Sequence, residues 1–205
     1  EIPLRLVGSE MCIRDSNYPV DPSITAAVFV PDYELSTEKA RQALPRELPY
    51  KDAVYNVSRV GLLPAAMNPV VLAQAAQQGK SGVAAAPAQD ADTCACSGGT
   101  RESAFADELA AAQAQSNALL FTATQDKLHQ PYRGALMPPS TELIALFRSK
   151  GYAAAVSGAG PCVLVLHYGN AREAIDQIAS EQLASGHWRV LHLPINTAGV
   201  EIERR

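Results

Sequence analysis

The feature that most constrains the fold is a pair of short apolar segments joined by a glycine-containing loop. Residues 153–157 and 162–168 are apolar runs of strand length, and between them lies Ser157-Gly158-Ala159-Gly160-Pro161. A loop this short favours an antiparallel pair of strands. Its glycines carry no Cβ and accept positive φ angles, so the backbone can closely approach a ligand or another loop. On spacing alone, a plain tight turn is the alternative interpretation.

The segments around this pair predict an α+β fold. Residues 171–183 have helical periodicity, and residues 188–194 and 199–203 are again of strand type. Helical periodicity also precedes the pair, most clearly in residues 141–150. Two strands, a helix and two more strands, preceded by helices, predict an antiparallel sheet with helices on one face.

The first half of the chain is predicted to begin with a buried strand at residues 24–30, whose sequence is ITAAVFV. A helix follows, for which Ser36 is a suitable N-cap. Further helices are predicted at residues 50–67, with Pro64 as a kink or an end, and at residues 102–115 and 118–129, the last ended by Pro131.

Two segments are set apart from this prediction. Residues 1–16 are excluded because VGSEMCIRDS, Val7 to Ser16, resembles a translated sequencing-library adaptor; a genuine polar arm is the alternative. Residues 79–100 are rich in Ala, Gly and Ser and poor in large apolar side chains. Such a composition cannot offset the entropy lost on ordering, so we predict a flexible insertion there.

Composition narrows the class of partner. The chain has 205 residues, a formal net charge of −4 and 17 scattered Lys and Arg residues, so no basic footprint for nucleic acid or an anionic membrane is present. No apolar run is long enough for a transmembrane helix, and we expect a cytoplasmic protein that binds a small molecule. Cys94 and Cys96 lack a second ligand pair, so no metal site is predicted.

Three segments, in the same order, resemble homoserine kinases, which belong to the GHMP superfamily with galactokinases, mevalonate kinases and phosphomevalonate kinases. The segments are VFVPDYELSTEKARQALP from Val28 to Pro45, LHQPYRGALMP from Leu128 to Pro138, and GYAAAVSGAGPCVLVL from Gly151 to Leu166. The resemblance implies a GHMP-kinase C-terminal domain over residues 50–205. It also implies that residues 17–49 are a remnant of the N-terminal kinase domain.

The resemblance further implies an activity and a site. The activity is transfer of the γ-phosphoryl group of ATP, with Mg²⁺, to the hydroxyl of L-homoserine, giving O-phospho-L-homoserine in threonine biosynthesis. Carried over residue by residue, it implies that the amino-acid substrate is bordered by Thr37, Arg41 and Arg133. It implies a glycine loop formed by Ser157, Gly158, Ala159 and Gly160. No catalytic residue and no metal ligand is assigned.

Arginine suits this role because its planar, permanently charged fork binds a carboxylate through two parallel hydrogen bonds. Without the resemblance, Arg41 reads as an exposed helix charge and Arg133 as a cation at a helix C-terminus. Asn56, Ser58 and Arg59 are further polar candidates, which solvated helix positions explain equally well.

The sequence departs from the superfamily in one respect. It contains no Pro-x-x-x-Gly-Leu-Gly-Ser-Ser stretch, the loop that holds the triphosphate at a helix N-terminus. We expect that loop upstream of Asn17 in a complete protein, and we expect this chain alone to be inactive. The alternatives are another superfamily kinase, acting on mevalonate, its phosphate or a sugar, and a non-catalytic amino-acid-binding module. A homodimer is also left open.

Overall fold

The computed structural model describes residues 18–74 and 101–196, with side chains in the second range from residue 106 onward. The predicted artefact at residues 1–16, the predicted insertion at 79–100 and the predicted strand at 199–203 lie outside the described residues. The named elements in chain order are β1 (Ile24–Pro31), α1 (Thr37–Gln42), α2 (Tyr50–Val60), α3 (Leu63–Ala66), α4 (Arg101–Ala123), α5 (Gln130–Arg133), α6 (Pro138–Ser149), β2 (Ala153–Val156), β3 (Val163–Tyr168), α7 (Arg172–Ile178), α8 (Ser180–Ala184) and β4 (Trp188–Leu193). Residues 69–74 are also helical.

The strands form one antiparallel sheet in the order β2-β3-β1-β4, which confirms the predicted α+β class. β1 lies in the middle, where Ala27 is paired with Val165 of β3 on one side and with His192 of β4 on the other. This strand falls in the segment that the resemblance assigns to a remnant of another domain. The strands on the two sides of the predicted boundary at residue 50 therefore belong to the same sheet.

Helices cover both faces of the sheet, whereas the strand pattern predicted helices on one face. Phe29 and Val165 point to the face on which α6 and α7 pack, and the rings of Phe29 and Phe147 lie 5.2 Å apart between centroids. Ala26 and Leu166 point to the other face, against α3 and α4. The reason is that β1 and β3 are apolar at successive positions, so both of their faces need a covering layer.

One helix, α4, replaces the two predicted helices at residues 102–115 and 118–129. The gap between the two predicted helices falls at Ser116 and Asn117, and tertiary contacts satisfy both of these polar side chains inside one helix. Ser116 is buried and donates to the Ala66 carbonyl at 2.7 Å, while Asn117 exchanges two hydrogen bonds with the Tyr168 backbone. None of the described helices, α4 included, is long and apolar enough to cross a membrane.

Two prolines that were expected to interrupt or end helices begin them instead. Pro131 lies in the first turn of α5, and α4 ends earlier, at Ala123. Pro64 lies in the first turn of α3, after α2 has ended at Val60. The first turn tolerates proline because its N–H groups have no intrahelical acceptor.

Candidate substrate cavity

A cavity of about 640 Å³ lies where α1, α2, the segment from α4 to α5, and the glycine loop meet. This volume is in the range typical of small-molecule sites. Its lining residues are Thr37, Arg41, Asn56, Val60, Ala123, Thr124, Gln125, Asp126, His129, Gln130, Arg133, Ala155, Val156, Gly158 and Ala159. The fold thus brings the three family-like segments to one place although they are far apart in sequence.

Most of the residues singled out from the sequence reach this cavity. Thr37 and Arg41 lie four residues apart on α1, so they share one side of the helix, and both are exposed. The helix begins as predicted, with the Ser36 hydroxyl accepting from the Lys39 N–H at 3.4 Å. Arg133 enters from α5.

The Arg133 guanidinium is tied to two neighbouring backbone segments. Its Nε–H donates to the Ala40 carbonyl at 3.0 Å, and Nη1 donates to the Gly158 carbonyl at 3.5 Å. These bonds connect α5 to α1 and to the glycine loop. Since arginine has five N–H donors, about three are left for a ligand.

Within the glycine loop, Gly158 and Ala159 line the cavity, whereas Ser157 and Gly160 are not among its lining residues. The N–H groups of Ser157 and Gly160 are used inside the loop, by the carbonyls of Cys162 at 2.8 Å and Ser157 at 3.2 Å. Over the residues that the structure describes, the N–H groups of Gly158 and Ala159 have no protein acceptor. These two groups are therefore available to an anion.

The loop is held from below by α6. Ser140, which is fully buried, donates to the Pro161 carbonyl at 2.5 Å, and its hydroxyl also meets the Tyr33 hydroxyl at 2.8 Å. Gly160 has φ +89°, and a Cβ there would lie 2.6 Å from the Met137 sulfur. Only glycine satisfies both the backbone angle and this close approach.

Asp126 is the most strongly hydrogen-bonded side chain of the cavity wall, and sequence reasoning missed it. Its carboxylate accepts the backbone N–H groups of Leu128 at 3.0 Å, His129 at 2.9 Å and Gln130 at 2.6 Å. Asn56 of α2 donates to it at 2.6 Å. An Asp shortly before a proline-containing helix start is the signal that could have identified it.

These bonds decide the ionisation of Asp126. Burial alone raises the pKa of the carboxyl group, but the hydrogen bonds from Gln130, Asn56, Leu128 and His129 outweigh it. The pKa falls from 3.8 to about 2 as a result. Asp126 is therefore a permanent negative charge at physiological pH.

Arg148 stabilises the wall of the cavity through three hydrogen bonds. Its Nη2 donates to the Phe121 carbonyl at 2.7 Å, and its Nη1 donates to Thr124 Oγ1 at 3.2 Å and to the Ala154 carbonyl at 3.0 Å. Burial lowers its pKa, and Tyr55 partly opposes that shift. The guanidinium joins the end of α4 to β2, and a second cavity of about 500 Å³ lies beside it.

The other candidates from the sequence have structural contacts. Asn56 lines the cavity and also accepts the Lys127 N–H at 2.9 Å. Ser58 donates to the Tyr55 carbonyl at 2.8 Å, and the Arg59 guanidinium lies 3.7 Å from the centroid of the Tyr55 ring. Cys94 and Cys96 lie outside the described residues.

Comparison with known proteins shows which families this chain is similar to. Residues 103–184 match the family described as GHMP kinases C terminal. The chain is 33% identical over 191 residues to a homoserine kinase of Corynebacterium aurimucosum, covering 93% of this chain and 46% of that protein. It is 33% identical over 187 residues to a homoserine kinase of Leifsonia xyli subsp. xyli, covering 90% of this chain and 43% of that protein.

The fold is also found in a solved structure. The crystal structure of a homoserine kinase from Cytophaga hutchinsonii superimposes with a TM-score of 0.56 at 18% sequence identity, covering 87% of this chain and 43% of that one. The chain spans less than half the length of the relatives it matches. Residues 103–184 therefore resemble the C-terminal domain of GHMP kinases, and the chain as a whole is similar to curated homoserine kinases.

Proposed function

We propose that this chain is the carboxyl-terminal part of a homoserine kinase, and that its cavity binds the carboxylate of L-homoserine between Arg41 and Arg133. One observation carries the proposal. The two arginines lie on separate elements, yet both line the cavity that Thr37 and the Gly158-Ala159 part of the glycine loop also line. A carboxylate clamp requires such convergence.

The charge of the cavity supports an anionic ligand group. Arg41 and Arg133 contribute +2 and Asp126 contributes −1, so these lining groups sum to +1. Among the residues that the structure describes, neither guanidinium forms an ion pair with a carboxylate. Two uncompensated guanidinium groups in one cavity favour binding of a carboxylate.

In the proposed reaction, the homoserine hydroxyl oxygen attacks the γ-phosphorus of ATP, and the bond from that phosphorus to the β,γ-bridging oxygen breaks. The products are O-phospho-L-homoserine, ADP and the proton lost by the hydroxyl. The residues of this chain bind and orient the amino acid, which is a large part of catalysis in phosphoryl transfer. The N–H groups of Gly158 and Ala159 are suited to an anionic oxygen near the reacting hydroxyl. A place in threonine biosynthesis and a cytoplasmic location belong to the same proposal.

Mg²⁺ accompanies ATP in the implied reaction. The residues described by the structure include no group of three or more metal-ligating side chains. Mg²⁺ that enters with a nucleotide keeps several waters and takes only one or two protein carboxylates, and we assign no residue of this chain to the ion.

The proposal is tested with a chimeric enzyme, in which residues 18–205 of this chain replace the matching part of the Corynebacterium aurimucosum kinase. We expect phosphorylation of L-homoserine and no phosphorylation of mevalonate or galactose. Activity on mevalonate or galactose, with none on homoserine, would instead favour another superfamily kinase.

A calorimetric titration of the 205-residue chain with L-threonine and L-homoserine addresses the non-catalytic alternative. Tight binding of threonine without ATP, in a chain whose chimera has no kinase activity, would favour an amino-acid sensor. The unmodified relative serves as the positive control in the kinase assay.

A further inference from the structure

We infer that Asp126 is a positioning residue for Arg133: its carboxylate holds the start of α5 and so fixes where the Arg133 guanidinium enters the cavity. This inference rests on the proposed function, because it deepens the role of the same site. It concerns a residue that neither the sequence motifs nor the family resemblance singled out.

The helix that carries Arg133 cannot hold its own shape. α5 is a single turn, Gln130–Arg133, and its N-cap residue, His129, makes no side-chain capping bond. One turn costs more conformational entropy than its hydrogen bonds return. An external acceptor for its first N–H groups is therefore needed, and Asp126 supplies it through His129 and Gln130.

A short chain of contacts leads from Asp126 to Arg133. Asp126 Oδ2 accepts the His129 N–H at 2.9 Å, and the His129 carbonyl accepts the Arg133 N–H at 3.0 Å. The orientation of the His129 peptide thus transmits the position of the carboxylate to the Arg133 backbone. The position of the Arg133 guanidinium is then fixed by its hydrogen bonds to the Ala40 and Gly158 carbonyls.

Asn56 fixes Asp126 from the opposite side. Its amide Nδ2 donates to Asp126 Oδ1, and its amide oxygen accepts the Lys127 N–H at 2.9 Å. One side chain of α2 therefore holds both the carboxylate and the backbone that follows it. Rotation of the Asp126 carboxylate would break bonds on both sides.

A direct role in binding the substrate ammonium is the rival explanation, since Asp126 lines the cavity. A carboxylate offers about four lone-pair directions. Four donors already occupy them, namely three backbone N–H groups and the Asn56 amide. The His129 ring Nδ1 also lies within 3.2 Å of Asp126 Oδ1. Asp126 therefore has no free acceptor for a ligand, and its function is to hold α5.

The test uses Asp126→Asn, which keeps the shape but removes the charge and one acceptor oxygen. In the chimeric kinase, we expect the KM for homoserine to rise about tenfold or more while the KM for ATP changes less than about twofold. Asp52→Asn is the matched control: Asp52 is a carboxylate on α2 that lies 3.9 Å from the Lys127 ammonium and outside the cavity. It should leave both constants within about twofold.

Hydrogen exchange in the 205-residue chain gives a readout that does not depend on activity. With Asp126→Asn, the amides of Leu128, His129 and Gln130 should exchange about tenfold faster than in the unchanged chain. A raised homoserine KM with unchanged exchange would mean that Asp126 contacts the substrate, which overturns the inference. If Asp126→Asn does not fold, Asn56→Ala removes one of the four donors to Asp126 together with the acceptor of the Lys127 N–H, and it should shift both readouts in the same direction by a smaller factor.

Arg133→Ala separates failure of this inference from failure of the proposed function. If exchange at Gln130 rises in Asp126→Asn and the homoserine KM does not, while Arg133→Ala still raises that KM, the positioning role is wrong and the substrate site stands. If Arg133→Ala also leaves homoserine kinetics unchanged, the proposed substrate site is wrong as well.

Discussion

The Nε–H of Arg133 donates to the main-chain carbonyl of Ala40 at 3.0 Å, across 93 residues of sequence. Ala40 is fully buried in α1, between the exposed Thr37 and Arg41 on the same helix. The bond therefore joins the two arginine-bearing helices at a buried residue. Any ligand clamped by Arg41 and Arg133 meets a site whose two halves are already connected.

The first prediction concerns this clamp. In the chimeric kinase, Arg133→Ala or Arg41→Ala should lower kcat/KM for homoserine. The drop should correspond to a loss of about 2–5 kcal/mol of transition-state stabilisation, the range for truncating one partner of a hydrogen-bonded charge pair. The KM for ATP should change little. Lysine at either position should restore little activity, because a point charge cannot reproduce the bidentate fork. Steady-state kinetics with homoserine varied at saturating ATP measures the effect, and unchanged homoserine kinetics in both alanine variants would contradict it.

The second prediction concerns Gly160. Gly160→Ala combines an unfavourable φ with a contact on the buried Met137, so the free energy of unfolding should fall by about 3 kcal/mol. Gly169→Ala is the control, since Gly169 has φ +93° but no atom within 4 Å of the position that a Cβ would take. Gly169→Ala should lower the free energy of unfolding only through the unfavourable φ angle, by about 1–2 kcal/mol. Urea denaturation of the 205-residue chain compares the two variants. Equal losses in the free energy of unfolding would show that the contact with Met137 does not destabilise Gly160→Ala.

The third prediction is a dependence of stability on acid pH. The pKa of Asp126 is about 2 in the folded chain against 3.8 unfolded, so the folded state favours the charged form. The resulting stabilisation is fully present well above pH 4, and it is lost as the pH falls towards 2. It amounts to about 2 kcal/mol.

Asp126→Asn isolates that contribution. The difference in the free energy of unfolding between the unchanged chain and the variant should shrink by about that amount between pH 6 and pH 2. Denaturant titrations at a series of pH values measure it. A difference that does not vary with pH would show that the Asp126 charge is not held by its N–H donors.

The fourth prediction concerns Arg148. Arg148→Lys should lower the free energy of unfolding by about 2–4 kcal/mol, because an ammonium cannot reach the three separate acceptors on Phe121, Thr124 and Ala154. Arg172→Lys, at an exposed position of α7, is the matched control and should change it by less than about 0.5 kcal/mol. Thermal and urea unfolding measure both, and a loss no larger than that of the control would contradict the stabilising role of Arg148.

Local sequence determined most of the secondary structure. The apolar run at residues 24–30 became β1, Ser36 capped α1, and Gly151 took the positive φ expected of the residue that follows a helix. These outcomes depend on periodicity and on backbone preferences, which act over a few residues. The resemblance to homoserine kinases likewise came from contiguous segments, and it named Arg41 and Arg133 where residue chemistry alone would have left them as surface charges.

The tertiary structure decided what those local preferences could not. The predicted gap between helices at Ser116 and Asn117 was wrong, because Ala66 and Tyr168 supply hydrogen-bond partners from distant segments. Asp126 gained its role only because the fold brings Asn56 and the start of α5 to it. A hydrogen bond between distant segments leaves no periodic trace in the sequence, because neither partner needs a particular neighbour along the chain. The sequence therefore determined the strands, the caps and the candidate arginines, while packing alone determined that they share one cavity and which carboxylate holds it in place.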